Sequence, residues 1–176
     1  MSVQFCNFSS LIFRFEKSPT TNIPNLLERY LVYVAQKGCA YFPWSKIKPL
    51  FRAKLDNVII DFSNLCPAEE IPPVPNVDVF NFAGIRNKVF EQLDAFAGIP
   101  FTVQRLAELL TSPRRHYKRT DKFMRALEKN MLIVSTVEAR ANNNNNDSDS
   151  RYDLIFQSLK FTKRCLKIYI KRFKDA

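Results

Sequence analysis

The sequence predicts a mainly α protein. We expect a single multi-helix domain of about five helices, with a short extended or β segment after the last core helix. A disordered linker and a C-terminal basic helix or tail follow. Three observations carry this. Apolar residues recur every three or four positions over several long stretches, the period of a helix with one buried face. The chain has 3 glycines against 10 prolines, and most prolines fall between those stretches. An asparagine homopolymer, Asn142 to Asn146, followed by Asp-Ser-Asp-Ser, interrupts the apolar pattern near the end. The 176 residues suffice for one domain with a core. They divide into a poorly ordered lead-in (1–22), a helical domain (23–137), an Asn-rich disordered linker (138–150) and a basic amphipathic tail (151–176).

In chain order, residues 1–22 show no persistent period, and the run from Ser18 to Asn22 reads as a loop. Pro24 suits the first turn of a helix over 24–37, because its missing N–H is one the helix leaves unpaired anyway. Leu27, Tyr30, Leu31 and Val34 form its apolar face, and Gly38 caps its end. Trp44, Ile47, Leu50, Phe51, Leu55, Val58, Ile59 and Phe62 mark a longer helix to about Asn64, started by Pro43 or capped by Ser45, with Pro49 in its first turn. Trp44 reads as a core anchor in preference to a ligand-stacking ring. Four prolines between Cys66 and Val79 make an extended connector. Ile85, Val89, Leu93 and Phe96 line a helix over Phe82 to Ala97. Gly98 ends it, Thr102 caps the next, and Pro113 stops that one before the basic turn from Arg114 to Arg119. A last core helix follows, capped by Thr120 or Asp121, with Phe123, Met124 and Leu127 inward. Leu132-Ile133-Val134 then reads as a strand or a buried extended segment.

Several chemistries are disfavoured. Neither a P-loop nor a dinucleotide fingerprint is present. The four cysteines lie far apart with no C-x-x-C pair, and His116 is the sole histidine, so no metal and no cofactor is expected. His116 has no nucleophile placed beside it by any motif. The acids Glu28, Asp56, Asp61, Glu91, Asp94, Glu108 and Glu128 fall on polar helix faces, where solvated charges belong. We therefore expect no enzyme and no small-molecule substrate. No secretory leader or membrane span is legible, and isolated thiols suit a reducing compartment. The net charge of +10 suits an acidic partner surface or nucleic acid. A winged-helix-like nucleic-acid-binding module using the basic turn 114–122 is thus one alternative, with Arg114, Arg115, Lys118, Arg119, Lys122 and Arg125 on phosphates. Its turn of about eight residues is longer than the usual helix-turn-helix connection. The basic tail reads as a helix docking on the domain, with an anionic membrane surface as the lesser reading.

The string GIPFT-x-QRL-x-ELLT-x-PRR-x-Y-xx-TDKF-x-R-xx-EKN, Gly98 to Asn130, resembles the core of the serine/threonine-protein phosphatase 4 regulatory subunit 2 family. The likeness extends more loosely upstream through Leu31 to Gly38, Trp44-Ser45 and Pro75-Asn76-Val77, covering the 115 residues from Ile23 to Val137. It implies a non-catalytic regulatory subunit that binds the phosphatase 4 catalytic subunit and a larger regulatory subunit, modulating activity or targeting. It also implies residence in nucleus and cytoplasm, with the centrosome as a further site. Two departures stand out. The family's long acidic tail has a short basic counterpart here, and Lys118-Arg119 makes the turn more basic than the family's small or polar pair.

From these residues we expect a partner-binding face containing Arg105, Arg114, Arg115, Tyr117 and Lys122, since arginine and tyrosine are favoured interface anchors. The structural alternative has equal weight. In it Arg114 and Asp121 pin the turn to the helix, and Tyr117 covers the core.

Overall fold

A computed structural model describes residues 3–40, 42–66 and 80–137, with side chains from residue 10 onward. The expected linker, the basic tail and the proline-rich connector from Pro67 lie outside the described residues. Among the described residues the elements run α1 (Val3–Lys17), α2 (Asn25–Lys37), α3 (Trp44–Leu65), α4 (Phe82–Ala95), β1 (Ile99–Pro100), α5 (Val103–Thr111), α6 (Pro113–His116), α7 (Thr120–Met131) and β2 (Thr136–Val137). The mainly α expectation holds, with seven helices among the described residues and a two-stranded sheet.

The core is one cluster. Leu27, Tyr30, Leu31, Ile47, Phe51, Leu55, Phe62, Leu93, Leu106 and Phe123 are each below 2% exposed. Burial of this many apolar side chains, each worth roughly 1.5–3 kcal/mol, is what offsets the ordering of the chain. Helix α2 packs chiefly on α5, and α4 on α7, while α3 touches α1 and the later helices. Trp44 anchors the middle as the sequence suggests. Its indole Nε1 donates to the Phe96 carbonyl at 3.1 Å, and its ring centroid lies 5.4 Å from that of Phe51. Lys48 also donates to the Phe96 carbonyl, at 3.2 Å, so the last carbonyls of α4 find partners on α3.

Several local expectations are corrected. The lead-in is not structureless: α1 buries Ile12 and Phe15 against the core, and Glu16 pairs with Lys46 on α3 at 2.8 Å. Pro24 and Pro43 occupy the N-cap positions of α2 and α3, which puts Pro49 inside α3 rather than in its first turn. Thr102 does not cap α5 with its side chain, because its hydroxyl donates to the Asn130 carbonyl at the end of α7, 3.2 Å away. Helix α4 stops at Ala95, where Phe96 turns extended and drives its ring into the core. Pro113 ends α5 and also starts α6, a single helical turn at the beginning of the expected basic turn. Leu132, Ile133 and Val134 are neither paired nor buried; the strand forms from Thr136-Val137 instead.

Gly38 is left-handed, with φ of 68°, and its N–H donates to the Val34 carbonyl at 2.8 Å. A Cβ there would also meet Gln104 Oε1 at 2.7 Å. We expect Gly38→Ala to lower stability by about 1–2 kcal/mol. Urea unfolding followed by Trp44 fluorescence checks this, and an unchanged midpoint would contradict it.

Candidate partner-binding site

The site is built on the α5–α6–α7 segment. Helix α5 has five buried positions in nine residues, so its opposite face is narrow and carries the polar side chains. Arg105 sits there, half-buried, with Nη1 2.8 Å from Glu108 Oε2 one turn later. That hydrogen bond raises the Arg105 pKa above its ordinary value, partial burial opposes it, and the Tyr117 hydroxyl adds to the rise. Arg105 therefore lies between a carboxylate and a phenol, held in place and not extended into solvent.

Tyr117 follows α6 in extended conformation, half-buried and packed against the core, its ring centroid 6.2 Å from that of Phe123. Its aromatic face covers the core while its hydroxyl serves Arg105. Arg114 and Arg115, by contrast, are exposed on α6 and have no partner among the described residues. His116, Lys118 and Lys122 are exposed as well. The five expected site residues thus separate into a fixed pair, Arg105 and Tyr117, and three outward cations, Arg114, Arg115 and Lys122.

The pin proposed between Arg114 and Asp121 does not form. Asp121 is 1% exposed and is gripped by Arg119, whose Nε and Nη2 lie 3.0 and 3.2 Å from its two carboxylate oxygens. An extended backbone at Arg119 folds its fork back onto a residue two positions later. The arginine that makes this turn more basic than the resemblance predicts therefore has a structural use. Neither Thr120 nor Asp121 caps α7: its N-cap is Arg119. The Thr120 N–H donates to the Cys66 carbonyl at 3.2 Å, and its hydroxyl donates to the same oxygen. The start of α7 is thereby tied to the end of α3, where a helix leaves carbonyls without intrahelical partners.

Elsewhere most of the acids expected on polar helix faces are engaged in ion pairs. Glu28 meets Lys54, Asp56 meets Arg86, Asp94 meets Arg52, Glu108 meets Arg105, and Glu128 approaches Lys88 at 3.9 Å. Apart from the pair within α5, these bridges join different helices and act as struts. Among the described residues, no three His, Cys, Asp or Glu side chains converge as metal ligands, and no helix is long and apolar enough to cross a membrane.

Comparison with known proteins gives this arrangement a family. The family model PPP4R2 matches residues 8–165. The chain is 51% identical over 139 residues to the serine/threonine-protein phosphatase 4 regulatory subunit 2 of Drosophila melanogaster, a match covering 77% of this chain and 23% of that protein. It is 41% identical over 137 residues to the human protein of the same name, covering 78% of this chain and 33% of the relative. A regulatory subunit 2-A from Danio rerio is 41% identical over 123 residues, covering 70% and 29%. The matched region thus spans a quarter to a third of these relatives' length. No solved structure matches the chain. The match to the family model over most of its length, with relatives of this identity, means that the chain belongs to the phosphatase 4 regulatory subunit 2 family.

Proposed function

We propose that this chain is a non-catalytic regulatory subunit of a phosphatase 4 complex. In this reading it binds the catalytic subunit through the α5–α7 segment, alongside a larger regulatory subunit, and modulates activity or targeting. The observation that carries the docking face is the contrast within that segment. Arg105, Tyr117, Arg119 and Asp121 are engaged with one another or with the core, whereas Arg114, Arg115 and Lys122 point outward unneutralised by any described residue. A rigid base under exposed cations suits an acidic protein surface, since little side-chain or loop entropy is lost when the partner arrives.

The test is capture of the phosphatase 4 catalytic subunit by the tagged full chain and by its Arg114→Glu/Arg115→Glu variant. Both residues are exposed, so the variant is expected to fold normally and to lose at least about tenfold in affinity. A folded variant that binds fully overturns the docking face. The nucleic-acid reading rests on the same cations. Sequence-selective duplex binding that survives about 200 mM salt would favour it over the phosphatase reading. On the resemblance alone we also propose residence in nucleus and cytoplasm, including the centrosome, which imaging of the tagged chain tests.

A further inference from the structure

Two serines in the chain precede a proline, Ser18 and Ser112. Their contexts differ. Pro19 is followed by Thr20 and Thr21, whereas Pro113 is followed by Arg114 and Arg115. Serine, proline, any residue, then a cation is the order that a proline-directed kinase accepts. The proline has no N–H to leave unpaired in a cleft that offers that position no acceptor. An arginine three residues after the serine suits an acidic subsite.

Ser112 stands in the open. It is exposed between α5 and α6, outside the helical region, with φ of −145° and ψ of 54°. Its hydroxyl does not cap α6 and meets no partner among the described residues. The adjacent Thr111 is different: it is half-buried, and its hydroxyl donates to the Ala107 carbonyl at 2.8 Å. Of two neighbouring hydroxyls, one is committed to α5 and the other is available to react.

A kinase cleft takes its substrate in extended form, so α6 has to open. That helix is a single turn with no buried side chain. It is held by the Arg115 N–H on the Ser112 carbonyl at 3.2 Å and the Tyr117 N–H on the Pro113 carbonyl at 3.0 Å. Segments with few buried contacts open locally at far lower free energy than the whole domain. Helices α5 and α7 stay in place meanwhile, anchored by Leu106 and Leu110 and by Phe123 and Leu127.

The effect of a phosphate there follows from its neighbours. The Arg115-to-Ser112 hydrogen bond closes a turn, so the two Cα atoms lie within about 7 Å. At that range the guanidinium reaches a phosphate on Ser112 and can bind it through two parallel N–H bonds. The phosphate carries about −1.5 to −2 charges at neutral pH. The outward cations of this segment are Arg114, Arg115, Lys118 and Lys122, since Arg119 is engaged with Asp121. One phosphate therefore cancels close to half of the charge offered to an acidic partner, and it withdraws an arginine from that partner.

We propose that Ser112 is a phosphorylation site for a proline-directed serine/threonine kinase, and that its phosphate weakens docking of the phosphatase catalytic subunit on the basic face. In the reaction Ser112 Oγ bonds to the γ-phosphorus of ATP and the bond from that phosphorus to the β,γ-bridging oxygen breaks. ADP leaves with the electron pair, and the hydroxyl proton passes to a base of the kinase. The regulatory half rests on the docking reading above; the site itself rests on the exposure and sequence of Ser112.

The experiment treats the full chain with ATP, magnesium and a purified kinase of the cyclin-dependent class, alongside Ser112→Ala, Ser18→Ala and Arg115→Ala. Peptide mass spectrometry locates the phosphate, and Trp44 fluorescence follows folding. Capture of the phosphatase 4 catalytic subunit is measured before and after treatment, with a phosphatase inhibitor present so that the mark survives. We expect phosphate on Ser112, kept in Ser18→Ala, absent from that position in Ser112→Ala and added more slowly in Arg115→Ala. Capture by the phosphorylated chain should fall about tenfold at about 0.15 M salt, and by less at about 1 M, where charges are screened. Ser112→Ala should capture fully before and after treatment. A folded chain that takes no phosphate on Ser112 overturns the site. Full capture by the phosphorylated chain overturns the regulation, and so does a fall in capture that tracks unfolding. Failure of the unmodified chain to capture the catalytic subunit is instead the failure of the docking reading. It takes the regulatory half with it, while the mapped phosphate still decides the site.

Discussion

Replacing Phe123 with alanine is expected to lower the unfolding free energy by about 3–5 kcal/mol. Phe123 is fully buried, on the first inward turn of α7. Its ring centroid lies 4.5 Å from Phe62 on α3 with planes inclined at 31°, and 6.2 Å from Tyr117. Aromatic pairs of this kind contribute about 0.5–1.5 kcal/mol beyond area burial. The rings cannot close the resulting gap easily, because Thr120 holds the start of α7 to the Cys66 carbonyl. Since domains carry only ~5–15 kcal/mol of stability, the loss removes a large part of it. Denaturation followed by the buried Trp44 measures this, and a cost below about 1 kcal/mol would contradict the packing described. Tyr117 also loses the ring beneath it, so capture of the phosphatase should fall with stability. Tyr117→Phe separates the two effects: it keeps the core contact and removes only the hydroxyl that serves Arg105.

The helices were legible where one face is consistently apolar. Leu27, Leu31 and Val34, or Ile85, Val89 and Leu93, keep their period without interruption, and the structure buries all six. Helix α1 escaped because an aromatic sits on its outer face. Phe13 is 46% exposed, and the Lys17 and Lys46 ammonium groups lie 4.4 and 5.5 Å from its ring centroid. A cation-covered ring on the wet side breaks the amphipathic pattern that identifies a helix. The strand was misplaced for a different reason. Leu132-Ile133-Val134 has the local chemistry of a buried strand, but pairing is decided by where Ile99-Pro100 arrives, which is a non-local fact. In the site, the exposure of Arg114 and Arg115 follows from their place in a polar turn. The Arg119–Asp121 grip does not, because it depends on where the backbone changes from extended at Arg119 to helical at Thr120, a boundary that the expected Thr120 or Asp121 cap places differently.

Arg119→Ala is expected to cost about 2–4 kcal/mol, and Asp121→Ala less, about 1–2 kcal/mol. The order follows from burial. The Asp121 side chain is 2% exposed and the Arg119 side chain 35%. Without Arg119 the carboxylate remains shielded from water and has lost a two-pronged partner. The first-turn amides of α7 return part of the loss, since a helix N-terminus favours negative charge. Without Asp121 the guanidinium can turn outward and be solvated. The partial exposure of Arg119 keeps the first figure below that of a fully buried pair. Arg119 makes further contacts, so the double-mutant cycle isolates the pair better than either variant alone. The double variant should resemble Asp121→Ala, which makes the coupling equal in size to the cost of Arg119→Ala alone, about 2–4 kcal/mol. Arg119→Lys should recover only part of the stability, because an ammonium cannot reproduce two parallel N–H bonds. A coupling near zero would show that the turn is held by Thr120 and the core alone. A strong coupling carries a functional consequence. Arg119 sits between the outward cations of α6 and Lys122 on α7, so its loss should weaken phosphatase capture even at temperatures where the variant stays folded.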